Sequence, residues 1–186
     1  MKSFPFSIKE LDFEPKKIIV ENGYLILGLD KFKRDYYPFY LNKMKALAFK
    51  HQKELTQEEI DTWANFFFDV NFQNAKNEME LCDYINKKHW VANLAYGSWD
   101  FFFKVDLYAY NKDKRYFIQL KPPSYRFRVW DSWQYVNLIL FARQNKGTPI
   151  LAIPRPNNKT RKYSFYEIVE IQAYPKLKLV NIKDPF

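Results

Sequence analysis

The chain has one cysteine, Cys82, two histidines, His51 and His89, and four glycines among 186 residues. A single thiol excludes an internal disulfide and any cysteine-built zinc cage, and it fits a reducing, cytoplasmic compartment. Two histidines are too few for a histidine-rich metal site. No Gly/Ser linker divides the chain, and no repeat of about 20–50 residues is visible. Long apolar runs are missing as well: the stretch 136–142 is interrupted by Asn137 and falls far short of the ~20 residues a membrane span needs. The first residues, MKSFPFSIKELDFE, meet Pro5, Lys9, Glu10 and Asp12 before any apolar segment, so no secretion signal is expected.

What is present points to a folded, soluble chain. Apolar residues make up 47% and aromatics 20%, against a mean hydropathy of −0.50. That is too much apolar surface for a solvated tail, and too many charges for a bilayer protein. The length suits one ordinary domain, or one with a substantial arm, rather than two equal enzymatic domains. The formal charge is +9, and its distribution is uneven. Residues 1–100 hold 14 Lys/Arg against 15 Asp/Glu, whereas residues 101–186 hold 16 against 6. Such a field attracts polyanions, nucleic acid first and an anionic membrane surface second.

Local patterns predict the elements. Residues 1–50 mix short β-like runs, among them KKIIVENGYLILGL around Asn22-Gly23, with an aromatic connector over 35–40. They read as an N-terminal hairpin. Thr56 and Glu59 form a capping-box pattern ahead of Ile60, Trp63, Ala64, Phe67 and Phe68, which predicts a helix ending near Asn71. A second helix is expected over 74–88, with Ala75, Met79, Cys82 and Ile85 on its apolar side. Strands follow over 90–96, 101–110 and 116–121, the last two joined by NKDKR, as a β-meander. Residues 130–144 have helical spacing and stop at Asn145-Lys146-Gly147. TPILAIP then reads as a buried strand, and 163–171 as an edge strand.

The meander contains KVDLYAYNKDKRYFIQLK. Period-two alternation puts Gln119 and Lys121 on one face of their strand, with Ile118 and Leu120 turned to the other, and sets Asp106 on the neighbouring strand. Phosphodiester hydrolysis uses such a convergence. A hard divalent cation held by Asp106 and nearby oxygens would polarise the scissile phosphate, while Lys121 orients a water or meets developing charge. Glu78 and Glu80, on the helix upstream, are the candidates to complete the shell. An aspartate between Val105 and Leu107 is costly to bury without a partner, which favours a ligand role. Lys121 taken alone reads as a solvated strand-end lysine before Pro122-Pro123, and only its pairing with Asp106 reverses that.

At these residues the chain resembles the PD-(D/E)XK nuclease superfamily, and within it the archaeal Holliday-junction resolvases. NEMELCDYINKKHW is similar to the family's first helix and sets its glutamate at Glu78. VDLYAY sets the aspartate at Asp106, and FIQLK sets the final pair at Gln119 and Lys121. LILFARQNKGTPILAIP is similar to the closing helix and strand, and Ser98 is a weak candidate for the serine that often precedes the aspartate. The resemblance covers residues 74–171. Gln119 departs from it, standing where the resolvases carry glutamate; related restriction-type nucleases tolerate glutamine there. The substitution removes one negative charge and lowers the expected cation affinity.

The resemblance implies a restriction-endonuclease-like α/β core over 73–186, in the order α-β-β-β-α-β with a mixed central sheet flanked by helices, preceded by an N-terminal α+β extension over 1–72. It implies Mg²⁺ or Mn²⁺ bound by Glu78, Asp106, Gln119 and the Leu120 carbonyl, with Glu78, Asp106, Gln119 and Lys121 as the catalytic set, Glu80 being the weaker acid. It also implies a homodimer cutting branched DNA. Arg126 and Arg128, interleaved with Tyr125, Phe127 and Trp130, have the composition of a phosphate-gripping, base-stacking segment. Arg155, Lys159, Arg161 and Lys162 form a basic loop suited to backbone contact. Cys82 reads as a small core residue, and the aromatic run 63–68 as core or dimer surface. Two rival readings stand beside the DNA endonuclease: a DNA-binding or assembly protein that kept the fold and lost the chemistry, and an RNA-directed nuclease or RNA-binding protein.

Overall fold

The computed structural model describes residues 6, 8–128, 132–156, 158, 162–170 and 177–186. They form two compact units, Met1–Asn77 and Glu78–Phe186.

In the first unit every described element is helical. A 3-10 turn at Ile8–Leu11 precedes α1 (Pro15–Glu21), α2 (Tyr24–Leu27) and α3 (Leu29–Lys50). The expected hairpin is absent, and the reason lies at its turn. A two-residue hairpin on Asn-Gly needs positive φ at both residues, but Asn22 has φ −94° and only Gly23, at +70°, is left-handed. Asn-Gly closes a helix here, which is the other structure the pair serves. Pro15 opens α1, where its missing N–H costs nothing. The aromatic stretch 35–40 belongs to α3, whose Phe32, Tyr40, Met44 and Leu47 are buried. They pack with Ile19 and with Ile60, Ala64 and Phe68.

Those last three residues lie on α4 (Gln57–Asn86), within which the unit boundary falls. The capping box is present: the Glu59 N–H donates to Thr56 Oγ1 at 3.2 Å, and the Thr56 N–H donates to Glu59 Oε2 at 3.1 Å. Two helices parted near residues 71–74 were expected, but one continuous helix forms. Its sequence holds no glycine or proline. The polar side chains that suggested a break are bonded along the helix, Asn71 Nδ2 to the Phe67 carbonyl at 2.7 Å and Gln73 Nε2 to Asn77 Oδ1 at 2.8 Å.

The second unit carries a six-stranded sheet in chain order: β1 (Val91–Leu94), β2 (Leu107–Tyr110), β3 (Arg115–Leu120), β4 (Thr148–Pro154), β5 (Tyr163–Glu170) and β6 (Leu177–Ile182). All neighbours are antiparallel except β3 and β4, which run parallel across the connection through α6 (Trp133–Gln144). The meander, the closing helix and the parallel strand thus follow in the expected order, with helices on both faces of a mixed sheet. Phe117, Leu151 and Ile153 pack against Tyr135, Leu138 and Phe141 of α6. By alternation Ile118, Ile150 and Ala152 face the opposite layer. There Tyr84 of α4 lies 5.1 Å from the Tyr163 ring and 6.5 Å from that of Phe165. With both faces covered, β4 reads as a nearly continuous apolar run, PILAIP.

Three expectations change in detail. The first half of the predicted strand 101–110 is instead the one-turn helix α5 (Ser98–Phe101) and a loop. Segment 163–171 is β5, an interior strand, because β6 pairs outside it; residue 171 lies outside the described residues. The closing helix starts at Trp133, and residues 130 and 131 lie outside the description.

Candidate functional site

The β2–β3 ladder ends in a fork. Its last regular rung pairs Leu107 with Ile118. One step beyond, the Asp106 N–H donates to the Ile118 carbonyl at 2.9 Å, and the Asp106 carbonyl accepts from the Ala95 N–H at 2.9 Å. The backbone of Asp106 is therefore gripped from both neighbouring strands. Its side chain then takes over the ladder, Oδ2 accepting the Leu120 N–H at 2.7 Å. A charged acceptor on a backbone donor is worth about 1.5–3 kcal/mol. The bond fixes one carboxylate oxygen at the amide lying between Gln119 and Lys121.

Register places the partners. Tyr108 pairs with Phe117 on the α6 face, so Gln119, two residues along β3, shares that face, while Asp106 stands at a bend just before β2, tied to β3 through Ile118 and Leu120. Gln119 is 8% exposed, and its buried Oε1 has no hydrogen-bond partner among the described residues. An unmet buried acceptor costs about 1–3 kcal/mol.

Lys121 continues β3, its N–H donating to the Ala152 carbonyl at 2.9 Å. Its ammonium does not stand out in solvent as a strand-end lysine would. It sits 5.4 Å from the ring centroids of both Tyr125 and Tyr135 and donates to Gln134 Oε1 at 3.4 Å. The two tyrosine hydroxyls meet at 2.5 Å, so a joined pair of ring faces supports the cation. Sequence reasoning missed this setting. Pro122 is its one local signal, because its carbonyl accepts from the Tyr125 N–H at 2.9 Å and so folds the chain back toward Lys121.

Glu78 is buried and Glu80 is exposed. Glu78, Cys82 and Asn86 share a helix face at four-residue intervals. Cys82 Sγ donates to the Ala92 carbonyl at 3.2 Å, and Asn86 Oδ1 accepts the Ala92 N–H at 2.8 Å. From Cys82, one turn back along α4 covers about 6 Å to Glu78, while three residues along the reversed β1 path cover about 10 Å to Ala95. Glu78 thus lies toward the Asp106 end of the sheet, in the layer opposite α6. The structure places Gln119 and Lys121 on one face of β3, ties the Asp106 carboxylate to the Leu120 amide between them, and buries Glu78 on α4. Ser98 stands exposed at the start of α5. Cys82 is a core residue, its thiol pushed up to about 11 by burial, which leaves it without nucleophilic character.

A divalent cation fits the donors present. Among the described residues no three His, Cys, Asp or Glu side chains gather as a metal-holding group, so such a shell needs amide and main-chain oxygens beside the carboxylates. Asp106, the Leu120 carbonyl and the unmet Gln119 Oε1 are hard oxygen donors of the kind Mg²⁺ and Mn²⁺ take.

The basic candidates divide. Arg126 and Arg128 are exposed beyond Lys121, with Arg126 Nη1 donating to the Tyr125 carbonyl at 3.1 Å. Arg155 is committed to the β4–β5 connection, donating to Ser164 Oγ at 2.8 Å and to the Tyr166 hydroxyl at 3.1 Å. Lys162 is exposed near Glu80, Asp83 and Lys87. Lys159 and Arg161 lie outside the described residues.

No family profile matches the chain, and no curated protein matches it. Among solved structures, a Holliday junction resolvase from the archaeal hyperthermophile Archaeoglobus fulgidus aligns over 59% of this chain and 85% of its own, at 19% identity and a TM-score of 0.43.

Proposed function

We propose that this chain is a metal-dependent nuclease with its centre at the β2–β3 fork, where Asp106, Gln119 and the Leu120 carbonyl hold Mg²⁺ or Mn²⁺ and Glu78 lies behind the same end of the sheet. The observation that carries the reading is the pairing of a backbone-anchored carboxylate with a buried amide oxygen that lacks a donor. When bound, the cation supplies Lewis acidity to a phosphoryl oxygen and lowers the pKa of a water. The chain's own groups do the positioning. Asp106 is locked by Leu120, so its carboxylate keeps one direction. Gln119 presents a neutral oxygen, leaving the site one charge less negative than an E-x-K pair. Lys121, braced by Tyr125 and Tyr135, holds an ammonium where charge develops on the phosphate. Arg126 and Arg128 extend the positive surface along the substrate. DNA is the favoured polymer, and a homodimer with paired centres acting on branched DNA is the finer form of the proposal. A second reading, a DNA-binding protein without cleavage, is favoured by the missing acid at Gln119.

The test is a cleavage panel of four-way junction, duplex, single-stranded DNA and RNA, with Mg²⁺, Mn²⁺ or EDTA. The nuclease reading expects metal-dependent cutting of DNA that Lys121→Ala and Asp106→Ala abolish while DNA binding persists. Cutting of RNA alone redirects the reading to an RNA nuclease. No cutting of any form establishes the binding-protein reading instead.

A further inference from the structure

A different surface lies at the other end of the same sheet. The amino ends of β3 and β4 and the end of β6 surround a groove of about 460 Å³. Four cations line it, Lys114, Arg115, Lys146 and Lys183, together with Asp113 and Glu167. All four lysines and arginines are exposed. Among the described residues none of these six charged groups is ion-paired, so the cations are not spent on internal partners. The net charge of the lining is positive, and Arg115 begins the strand whose far end carries Lys121. Six residues of extended chain put the two about 20 Å apart.

Local structure builds this groove deliberately. Asn111 Oδ1 accepts the N–H groups of Asp113 and Lys114 at 2.9 and 2.8 Å, which fixes the β2–β3 turn. Lys146 has φ +53° at the end of α6, a left-handed position that glycine fills at less cost. Gly147 follows, and a Cβ there would come within 2.6 Å of the Phe117 ring and 3.0 Å of the Arg115 carbonyl. The bare glycine lets the α6 terminus close on β3 and brings Lys146 beside Arg115.

Arg115 and Tyr116 also line an adjoining groove of about 250 Å³, walled by Trp99, Tyr108 and Tyr110. The Tyr108 and Tyr110 rings lie 6.3 Å apart and within 5° of parallel, and Tyr110 is 40% exposed. Cations that run directly into flat ring faces are what an unpaired polynucleotide engages: phosphates on the first, bases on the second. A duplex hides its base faces. An acidic peptide would use the cations and leave the rings idle.

We propose that this end of the sheet binds single-stranded nucleic acid, with phosphates on Lys114, Arg115, Lys146 and Lys183 and bases stacked on Tyr110 and Tyr108. The site is separate from the candidate cleavage centre and works whether or not that centre cuts.

Binding of a labelled single strand of about 12 nucleotides, of its duplex and of polyglutamate is followed by fluorescence anisotropy in EDTA, where metal-dependent cleavage plays no part. Tyr110→Ala is expected to weaken the single strand about tenfold and to spare the duplex, while Tyr110→Phe keeps parental affinity. Lys114→Ala with Lys146→Gly is expected to lower the salt slope for the single strand by about 1.4, two phosphate contacts at about 0.7 each. The glycine removes the charge while suiting the left-handed backbone, and thermal melts verify folding. Asp106→Asn, which keeps the rung to Leu120, should bind the single strand as the parent does. The proposal is overturned by an unchanged single-strand affinity in Tyr110→Ala, by equal loss in Tyr110→Phe, by an unchanged salt slope, or by polyglutamate displacing the strand at equal charge.

Discussion

Gln119→Glu probes the candidate centre at a single atom. The variant keeps an oxygen where the unmet Oε1 stands and exchanges the amide nitrogen for a second oxygen, in a side chain 8% exposed, one residue from the amide that holds Asp106. Without metal the new carboxylate meets its neighbour's charge. Two like charges about 4 Å apart at an effective dielectric of about 20 repel by about 4 kcal/mol, and Lys121 at the strand end offsets part of this. A loss of about 2 kcal/mol in EDTA follows, or about 4–8 °C in Tm for a chain of this size. Metal offsets about two thirds of this loss. A parent holding Mg²⁺ with a Kd of about 1 mM gains about 1.4 kcal/mol at about 10 mM Mg²⁺. A tenfold tighter variant gains about 2.7 kcal/mol under the same conditions. Thermal melts of both proteins across a Mg²⁺ titration read this directly. If Mg²⁺ raises the Tm of Gln119→Glu no more than that of the parent, the Gln119 oxygen does not face a cation site and the proposed centre fails.

Other perturbations test the packing. Gly147→Ala drives a methyl into the buried Phe117 ring and should cost about 1–3 kcal/mol in urea denaturation; a neutral result would mean that α6 does not close on β3 as described. Phe186 stacks edge-on against Trp90, Tyr116 and Phe165 at 5.3–5.5 Å, while Asp184 ties the same segment to Tyr84 and Lys88. Phe186→Ala should therefore lower stability by about 1–3 kcal/mol, at the lower end of core aromatic deletions because the ring is half-buried. Burial raises Cys82 to about 11 and, with smaller contributions from Glu80 and Tyr84, Tyr163 to about 12. The unfolded chain ionises first, near pH 8.5 for the thiol and 10 for the phenol. Stability is thus full below about pH 8.5 and falls as pH rises toward 11–12, by at most about 1.4 kcal/mol per unit for each group. Denaturation midpoints that stay flat from pH 8 to 11 would contradict both burials.

The parts of the fold legible in the sequence were those whose signals were local and single-valued. The Thr56–Glu59 cap, the α6 stop at Asn145-Lys146-Gly147 and the apolar TPILAIP strand each depend on neighbours within a turn or a pleat. The alternation that groups Gln119 with Lys121 is a property of one strand and was equally readable. Asn22-Gly23 failed because the same dipeptide ends helices and turns hairpins, and the choice rests on Ile19 packing with Phe32, thirteen residues away. The break expected near Asn71 failed because polar helix residues bonded to their own helix look, in sequence, like a loop. The Tyr125–Tyr135 support under Lys121 and the groove shared by Arg115, Lys146 and Lys183 were out of reach altogether. Their members are gathered by the parallel crossover and the β6 return, which no short pattern encodes.

The Asp106–Leu120 bond means that one oxygen serves as both the final rung of a sheet and the neighbour of the proposed centre. A cation pulling on that carboxylate would be felt along β3, so occupancy and sheet closure are coupled through a single acceptor. Asparagine at 106 can still act as a rung while alanine cannot, which lets architecture and charge be separated at one position.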